Sequence, residues 1–265
     1  MDGKDVRLPL PAVAPVRPAH QEELEYLVGF FDGDGCVSLN KATGHVQLVI
    51  SQNVDSAEVL LHFRSLLGGS VSRHSAGTGS KKATVKWHVH GSKMIATAET
   101  LSSVPSMKQA QLLMAKQGYI AVKDRVRVAE CLQVLKQRHH VPDQWRECTW
   151  PYFASFFDAE GTIVVSSTHV GLRLEVGQVN PCVLDHILYF LHEGKLKGWA
   201  LHHWDSHSAL VCQKLPDIKQ TLELLLASGL LVKRKQAELA LSLTAENHLQ
   251  ISRRHFLAQW PSGPL

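Results

Sequence analysis

The sequence predicts an α+β fold built from two tandem αββαββα repeats, and three observations carry that reading. Tyr26 to Gly35 (YLVGFFDGDG) and Tyr152 to Gly161 (YFASFFDAEG) are two copies of one pattern, Phe-Phe-Asp-small-acid-Gly, with Asp32 and Asp158 separated by 126 residues. The same offset of 126 relates Gln52 to Gln178, each at the end of an alternating apolar run. Lys108-Gln109-Ala110 and Lys235-Gln236-Ala237 follow at an offset of 127. Landmarks at a nearly constant spacing of about a domain length are the mark of an internal duplication.

Each copy opens with an apolar helix expected to end at Gly35 or Gly161, where a left-handed cap carries no Cβ strain. Two alternating strands come next, over 36–41 and 45–52 in the first copy and over 162–167 and 170–178 in the second. Helices are predicted over 55–67 and 182–192. A second hairpin is read over 70–74 with 84–89, and over 196–202 with 209–213. Helical periodicity closes each copy over 107–117 and 235–243. Helices collected on one face of an antiparallel sheet leave the other face free for a partner.

The domain organisation follows: 1–19 an extended tail, 20–128 the first repeat, 129–148 a linker, 149–245 the second repeat and 246–265 a C-terminal tail. Pro9, Pro11, Pro15 and Pro18 rule out a helix interior near the N-terminus. Asp2 and Asp5 weaken its reading as a transit peptide. Arg138-His139-His140 and Pro142 give the linker its character.

Over 265 residues, 45% apolar and 20% charged residues leave room for one large or two small cores and exclude disorder or collagen. No apolar run approaches the roughly 20 residues that span a bilayer, so no membrane partner is expected. Five cysteines, at 36, 131, 148, 182 and 212, are odd in number and contain no CxxC pair, which argues against a disulfide framework or a zinc ribbon. Sixteen histidines include no HExxH motif. A net charge of +4 permits a polyanionic partner without requiring one.

Gly29 and Gly33, with Ser155 and Ala159 at the same places in the second copy, put a stripe of small residues on each opening helix. Such a stripe lets two helices approach closely, or packs a helix on its own sheet. If the two helices pair in parallel, Asp34 and Glu160 meet at the negative ends of two helix dipoles. Two carboxylates so placed call for a shared proton or a bound hard cation such as Mg²⁺.

With those residues in view, the chain resembles the LAGLIDADG homing endonucleases in their two-repeat, monomeric form. The first copy matches the motif at Leu27, Gly29, Asp32, Asp34 and Gly35. The second keeps Ala154, Asp158, Ala159 and Gly161, has Glu160 as its final acid, and carries Ser155 in place of the first glycine. The resemblance spans roughly 20–245. It implies two repeats related by a pseudo-twofold axis, their antiparallel sheets forming a saddle on double-stranded DNA.

For activity, the resemblance implies metal-dependent hydrolysis of one phosphodiester on each strand of a long, imperfectly symmetric site. Asp34 and Glu160, with the carbonyls of Gly33 and Ala159, would ligate Mg²⁺ or Mn²⁺. Gln52 and Gln178 correspond to the polar residue that orients the attacking water, although either could simply end a strand in solvent. Lys233 corresponds to the lysine near the scissile phosphate, unless it is only a surface lysine at a helix start. An offset of 127 puts Ser106 opposite Lys233 and leaves two unequal centres, one relying on Lys108 or water.

On the free sheet face, alternation turns Ser38, Asn40, His45, Gln47, Thr84, Lys86 and His88 of the first copy toward DNA. Ser166, Thr168, Arg173 and Glu175 are their counterparts in the second. Lys81, Lys82, Lys195 and Lys197 suit phosphate contacts. The resemblance leaves an alternative function, an intron RNA maturase or splicing cofactor on the same scaffold, and implies residence in a mitochondrion or chloroplast.

Overall fold

The computed structural model describes residues 8–78, 81–137 and 148–259. The chain divides into two compact units, Met1–Arg138 and His139–Leu265. Asp2, Asp5, Arg138, His139, His140 and Pro142 lie outside the described residues, as do the last six of the C-terminal tail. No described helix is long and apolar enough to cross a membrane.

In the first unit the order is β1 (Leu10–Val13), α1 (Gln21–Asp34), β2 (Gly35–Leu39), β3 (Val46–Asn53), α2 (Glu58–Leu67), β4 (Gly69–Ser75), β5 (Thr84–His90), α3 (Ser92–Leu101), α4 (Gln109–Ala115) and α5 (Arg125–Gln137). The five strands form an antiparallel sheet in the order β1-β4-β5-β3-β2. The second unit runs α6 (Trp150–Glu160), β6 (Gly161–Val165), β7 (Leu172–Gln178), α7 (Pro181–Glu193), β8 (Trp199–His203), β9 (Ser208–Cys212), α8 (Leu215–Ala227), α9 (Arg234–Leu241) and α10 (His248–Gln259). Its four strands pair antiparallel in the order β6-β7-β9-β8.

Period-two alternation sorts the two faces of each sheet. Val37, Val46, Leu48, Ile50, Val85, Trp87 and Val89 are buried under the helices of the first unit, and Leu172, Leu174 and Val176 under those of the second. Aromatic rings fill both cores: Phe63 lies 5.2 Å from Trp87 between ring centroids, and Phe153 lies 6.1 Å from Trp199. Gly68 and Gly69 both take positive φ at the end of α2. A Cβ on Gly69 would stand 2.8 Å from the Trp87 indole nitrogen, which donates to Gly68 O.

The opening helices are anchored at their starts. Glu23 accepts from the His20 amide and from the Arg17 guanidinium, which pulls its carboxyl down to about 2. The Thr149 hydroxyl caps α6 by accepting from the Tyr152 amide. Residues 26–32 and 152–158, the central stretches of the two helices, are buried without interruption.

Several sequence expectations change. Gly35 and Gly161 are not left-handed caps; their φ values are −74° and −77°, in the extended region. What requires glycine is space, because a Cβ would collide with the Phe31 ring and carbonyl, or stand 2.5 Å from Phe157 O and 2.6 Å from the Phe157 ring. The helix expected over 55–67 starts with a 3₁₀ turn at Val54–Ser56. Three described helices follow each second hairpin, α3 to α5 or α8 to α10, where one was expected, so the repeat is αββαββααα. The N-terminal tail is partly built into the sheet, since β1 pairs with β4. Residues 129–137 belong to α5 rather than to a linker, and α10 occupies most of the segment expected as a C-terminal tail.

Candidate active site and reading faces

Each motif helix ends on an acid that is held by the glutamine near the end of the second strand after it. The Gln52 amide donates to Asp34 Oδ2 at 2.5 Å, and the Gln178 amide donates to Glu160 Oε1 at 3.0 Å. The strand pairing explains the match. Gly35 pairs with Ile50 and Gly161 with Val176, which brings the glutamine two residues further on to the acid just before the glycine. Gln178 also accepts from the Val179 amide through Oε1, so it is fixed at both ends of its amide.

The other motif acid does structural work. Asp32 is 5% exposed and accepts from the Ser106 hydroxyl (2.5 Å) and the amides of Met107 (2.8 Å) and Lys108 (3.2 Å). Asp158, 3% exposed, accepts from the amides of Leu231 (2.7 Å) and Lys233 (2.8 Å). A carboxylate against unpaired amides at a helix start is favourable in charge and hydrogen bonding. Here it fastens the start of α4 or α9 to the motif helix.

That attachment delivers one lysine to each motif. Lys108 and Lys233 are the residues just before α4 and α9, with φ, ψ of −97°, 16° and −98°, 9°. Lys108 Nζ donates to the carbonyls of Phe31 (2.8 Å), Gly33 (3.2 Å) and Gly35 (2.5 Å). Lys233 Nζ donates to Asp158 O. The structural counterpart of Lys233 is therefore Lys108, at an offset of 125, and the pairing with Ser106 is corrected. Buried Leu112 and Ala115 fall opposite buried Ala237 and Ala240 at the same offset.

The donors suit a hard cation. Each unit offers a carboxylate beside main-chain carbonyls at the negative end of a helix, and in the first unit those carbonyls already gather an ammonium group. No described group of three or more His, Cys, Asp or Glu side chains could hold a metal. Mg²⁺ does not need one, since it is commonly held by one or two carboxylates together with water and phosphate oxygens.

On the outward face of the first sheet, Ser38, Gln47, Thr84, Lys86 and His88 occupy the parity expected, with Gln47 donating to Ser38 Oγ at 3.1 Å. His88 shares a hydrogen bond with Ser70 Oγ (3.0 Å) and stacks on His90, a neighbour the sequence reading omitted. Burial, followed by the nearby Lys86 and His90, lowers the His88 pKa and favours its neutral ring. Parity also adds Cys36, Ser51, Ser70 and Ser72 to this face.

Other candidates sit differently from expectation. Asn40 is a turn residue whose Oδ1 accepts from the Ala42 and Thr43 amides, and His45 lies before β3, edge-on to Tyr119. Ser166 and Thr168 fall beyond the end of β6, in a turn where Ser166 Oγ accepts from the amides of Thr168 and His169. Lys82 is paired with Asp55 at 2.8 Å, whereas Lys81 is exposed. Lys195, at φ 66°, and Lys197 are exposed in the turn before β8, which starts at Trp199 rather than at 196. Arg173 and Glu175 face outward on β7 and form an ion pair with each other.

No family model matches the sequence, and no curated protein matches it. Solved structures do. The chain is similar to LAGLIDADG meganuclease I-AabMI bound to uncleaved DNA, with TM-score 0.62 and 16% identity over 91% of this chain and 99% of that one. It is similar to LAGLIDADG homing endonuclease I-GzeII in complex with its DNA target, with TM-score 0.56 and 16% identity over 90% and 91%. Meganuclease I-SmaMI bound to uncleaveable DNA gives TM-score 0.58 and 13% identity over 94% and 98%. Likeness of this extent across both repeats, at such low identity, establishes architecture: the chain has the two-repeat fold of the LAGLIDADG homing endonucleases.

Proposed function

We propose that the protein is a site-specific endonuclease that hydrolyses one phosphodiester on each strand of a long, imperfectly symmetric DNA site, acting as a monomer with a divalent metal such as Mg²⁺ or Mn²⁺. The observation that carries this reading is the repeated constellation of acid, glutamine and lysine: Asp34, Gln52 and Lys108 in one unit, Glu160, Gln178 and Lys233 in the other. Fold relatives solved on DNA support it, as does I-SmaMI bound to uncleaved DNA in the presence of calcium ions. Organellar residence belongs to the same proposal and rests on family resemblance alone.

In this reading Asp34 and Glu160, with the carbonyls of Gly33 and Ala159, would hold the metal, and when bound it would supply Lewis acidity to the water and the leaving oxygen. The chain's own groups do the positioning. The Gln52 amide donates to Asp34, which leaves its oxygen to accept a hydrogen from the attacking water. Glutamine does this without adding another negative charge beside the acid. Lys108 and Lys233, delivered by Asp32 and Asp158, place an ammonium where negative charge develops on the phosphate.

The test is a cleavage selection, with full-length protein, Mg²⁺ and a randomised duplex library, followed by Asp34→Asn and Glu160→Gln on the selected site. Each variant is expected to lose at least about 10²-fold in cleavage rate while retaining DNA binding, because the charge removed serves chemistry rather than recognition. Full cleavage by either variant rejects the metal-site assignment, and a library with no selected site rejects the endonuclease reading.

A further inference from the structure

The outward face of the second sheet differs in chemistry from that of the first. Across its central rows, Thr162 pairs with Glu175, Glu175 with Val211 and Val211 with Ala200, while Val164 pairs with Arg173. On the strands of this face Arg173 and Glu175 are the only Lys, Arg, Asp or Glu residues at outward parity, with Thr162, Val164, Val211 and Ala200 around them and His202 further along β8. The first sheet instead offers serines, Gln47, Lys86 and two histidines at the same parity.

Arg173 and Glu175 are two residues apart on β7, so they project from the same face, and an Arg173 Nη2 hydrogen bond to Glu175 Oε2 joins them. Their side chains are 43% and 29% exposed. Arg173 Nε is buried and donates to nothing among the described residues, so the exposed part of the guanidinium is its outer fork. A carboxylate on a surface meant for DNA is costly unless it is compensated and gives something to recognition. Arg173 compensates it. What the pair offers outward is a planar double donor beside a strong acceptor, held together before any ligand arrives.

Only one base pair satisfies both donors of the fork and the carboxylate together in the major groove. Guanine presents two acceptors, O6 and N7, to an arginine fork, and the cytosine opposite presents an N4 amino donor to a carboxylate. With Arg173 on thymine the fork finds one acceptor, O4, in place of two, beside the C5-methyl, and with Arg173 on adenine the N6 amino donor faces Arg173 and thymine O4 faces Glu175. We infer that Arg173 and Glu175 act as one unit specifying a single G·C base pair in the half-site read by the second repeat, flanked by positions of relaxed preference beneath Val164, Val211 and Ala200. This rests on the endonuclease reading above and goes beyond it by naming a specificity determinant and its base pair.

The experiment repeats the cleavage selection with wild type, Arg173→Ala, Arg173→Lys and Glu175→Gln, and then measures binding to duplexes carrying each of the four base pairs at every half-site position, in Ca²⁺. Wild type should show one G·C-restricted position in one half-site, with about ten- to hundred-fold discrimination there. Arg173→Ala and Arg173→Lys should both lose it, since lysine keeps the charge but not the fork. Glu175→Gln should weaken discrimination at the same position while overall affinity stays level or rises. Circular dichroism and melting confirm that the surface variants fold. Selection that changes nowhere, or weakens evenly across the whole site, overturns the inference while leaving the endonuclease standing. A wild-type library with no selected site overturns both.

Discussion

Within each motif, two acids two residues apart perform opposite tasks, and burial separates them. Asp32 and Asp158 are enclosed and spent on backbone amides; Asp34 and Glu160 are half-buried and held by glutamine. The glycines that follow are equally specific in their reason. Gly161→Ala should cost about 1–3 kcal/mol, the usual penalty of overpacking, because the new methyl meets the Phe157 carbonyl and ring. Denaturant unfolding measures this directly, and an unchanged midpoint would show that the helix end yields freely. The acids and glutamines were legible in the sequence because they repeat at one offset. The role of Asp32 was not, because its partners at 106–108 lie more than seventy positions away and no local pattern announces them.

Among the elements, those with strict alternation were readable and those with softer patterns were not. The hairpin strands carry unbroken apolar parity, and their core faces follow from it. Helix α3, with Met94, Ala98 and Leu101 buried, has the right helical spacing but is diluted by polar and small residues. Strand β1 was hidden by Pro11 and its flanking prolines, and Pro11 is tolerated because the strand lies at the sheet edge. Its segment is tied down by Arg64 donating to Pro11 O and by the Val16 amide donating to Ser65 O. Deleting residues 1–16 should therefore destabilise the first unit by about 1–3 kcal/mol, the scale of a few lost hydrogen bonds, and bare the β4 edge. Thermal melting and light scattering check it; an unaltered melt without added association would make β1 dispensable.

For the molecule as a whole, the duplication is functional bookkeeping at two offsets. Acids and glutamines repeat at 126, but the stretch from Gln178 to Lys233 is one residue shorter than that from Gln52 to Lys108, so the lysines repeat at 125. The Lys-Gln-Ala match at 127 aligned Lys108 with Lys235, an exposed residue inside α9, and so suggested two unequal centres. The folded chain offers an equivalent lysine in each unit, at the same backbone conformation and on the carbonyls of its own motif helix. If each lysine serves the phosphate handled by its own repeat, Lys108→Met should slow cleavage of one strand and Lys233→Met the other, each by about 10²–10³. Both variants should accumulate nicked duplex, with the break on opposite strands. End-labelling each strand of the selected target separates the cases, and melting curves show whether lost contacts to Phe31, Gly33, Gly35 or Asp158 unfold the protein instead. Nicks on the same strand in both variants would mean that the lysines do not divide the work by repeat. A large effect from Lys233 with none from Lys108 would restore the unequal centres that the offset of 127 implied.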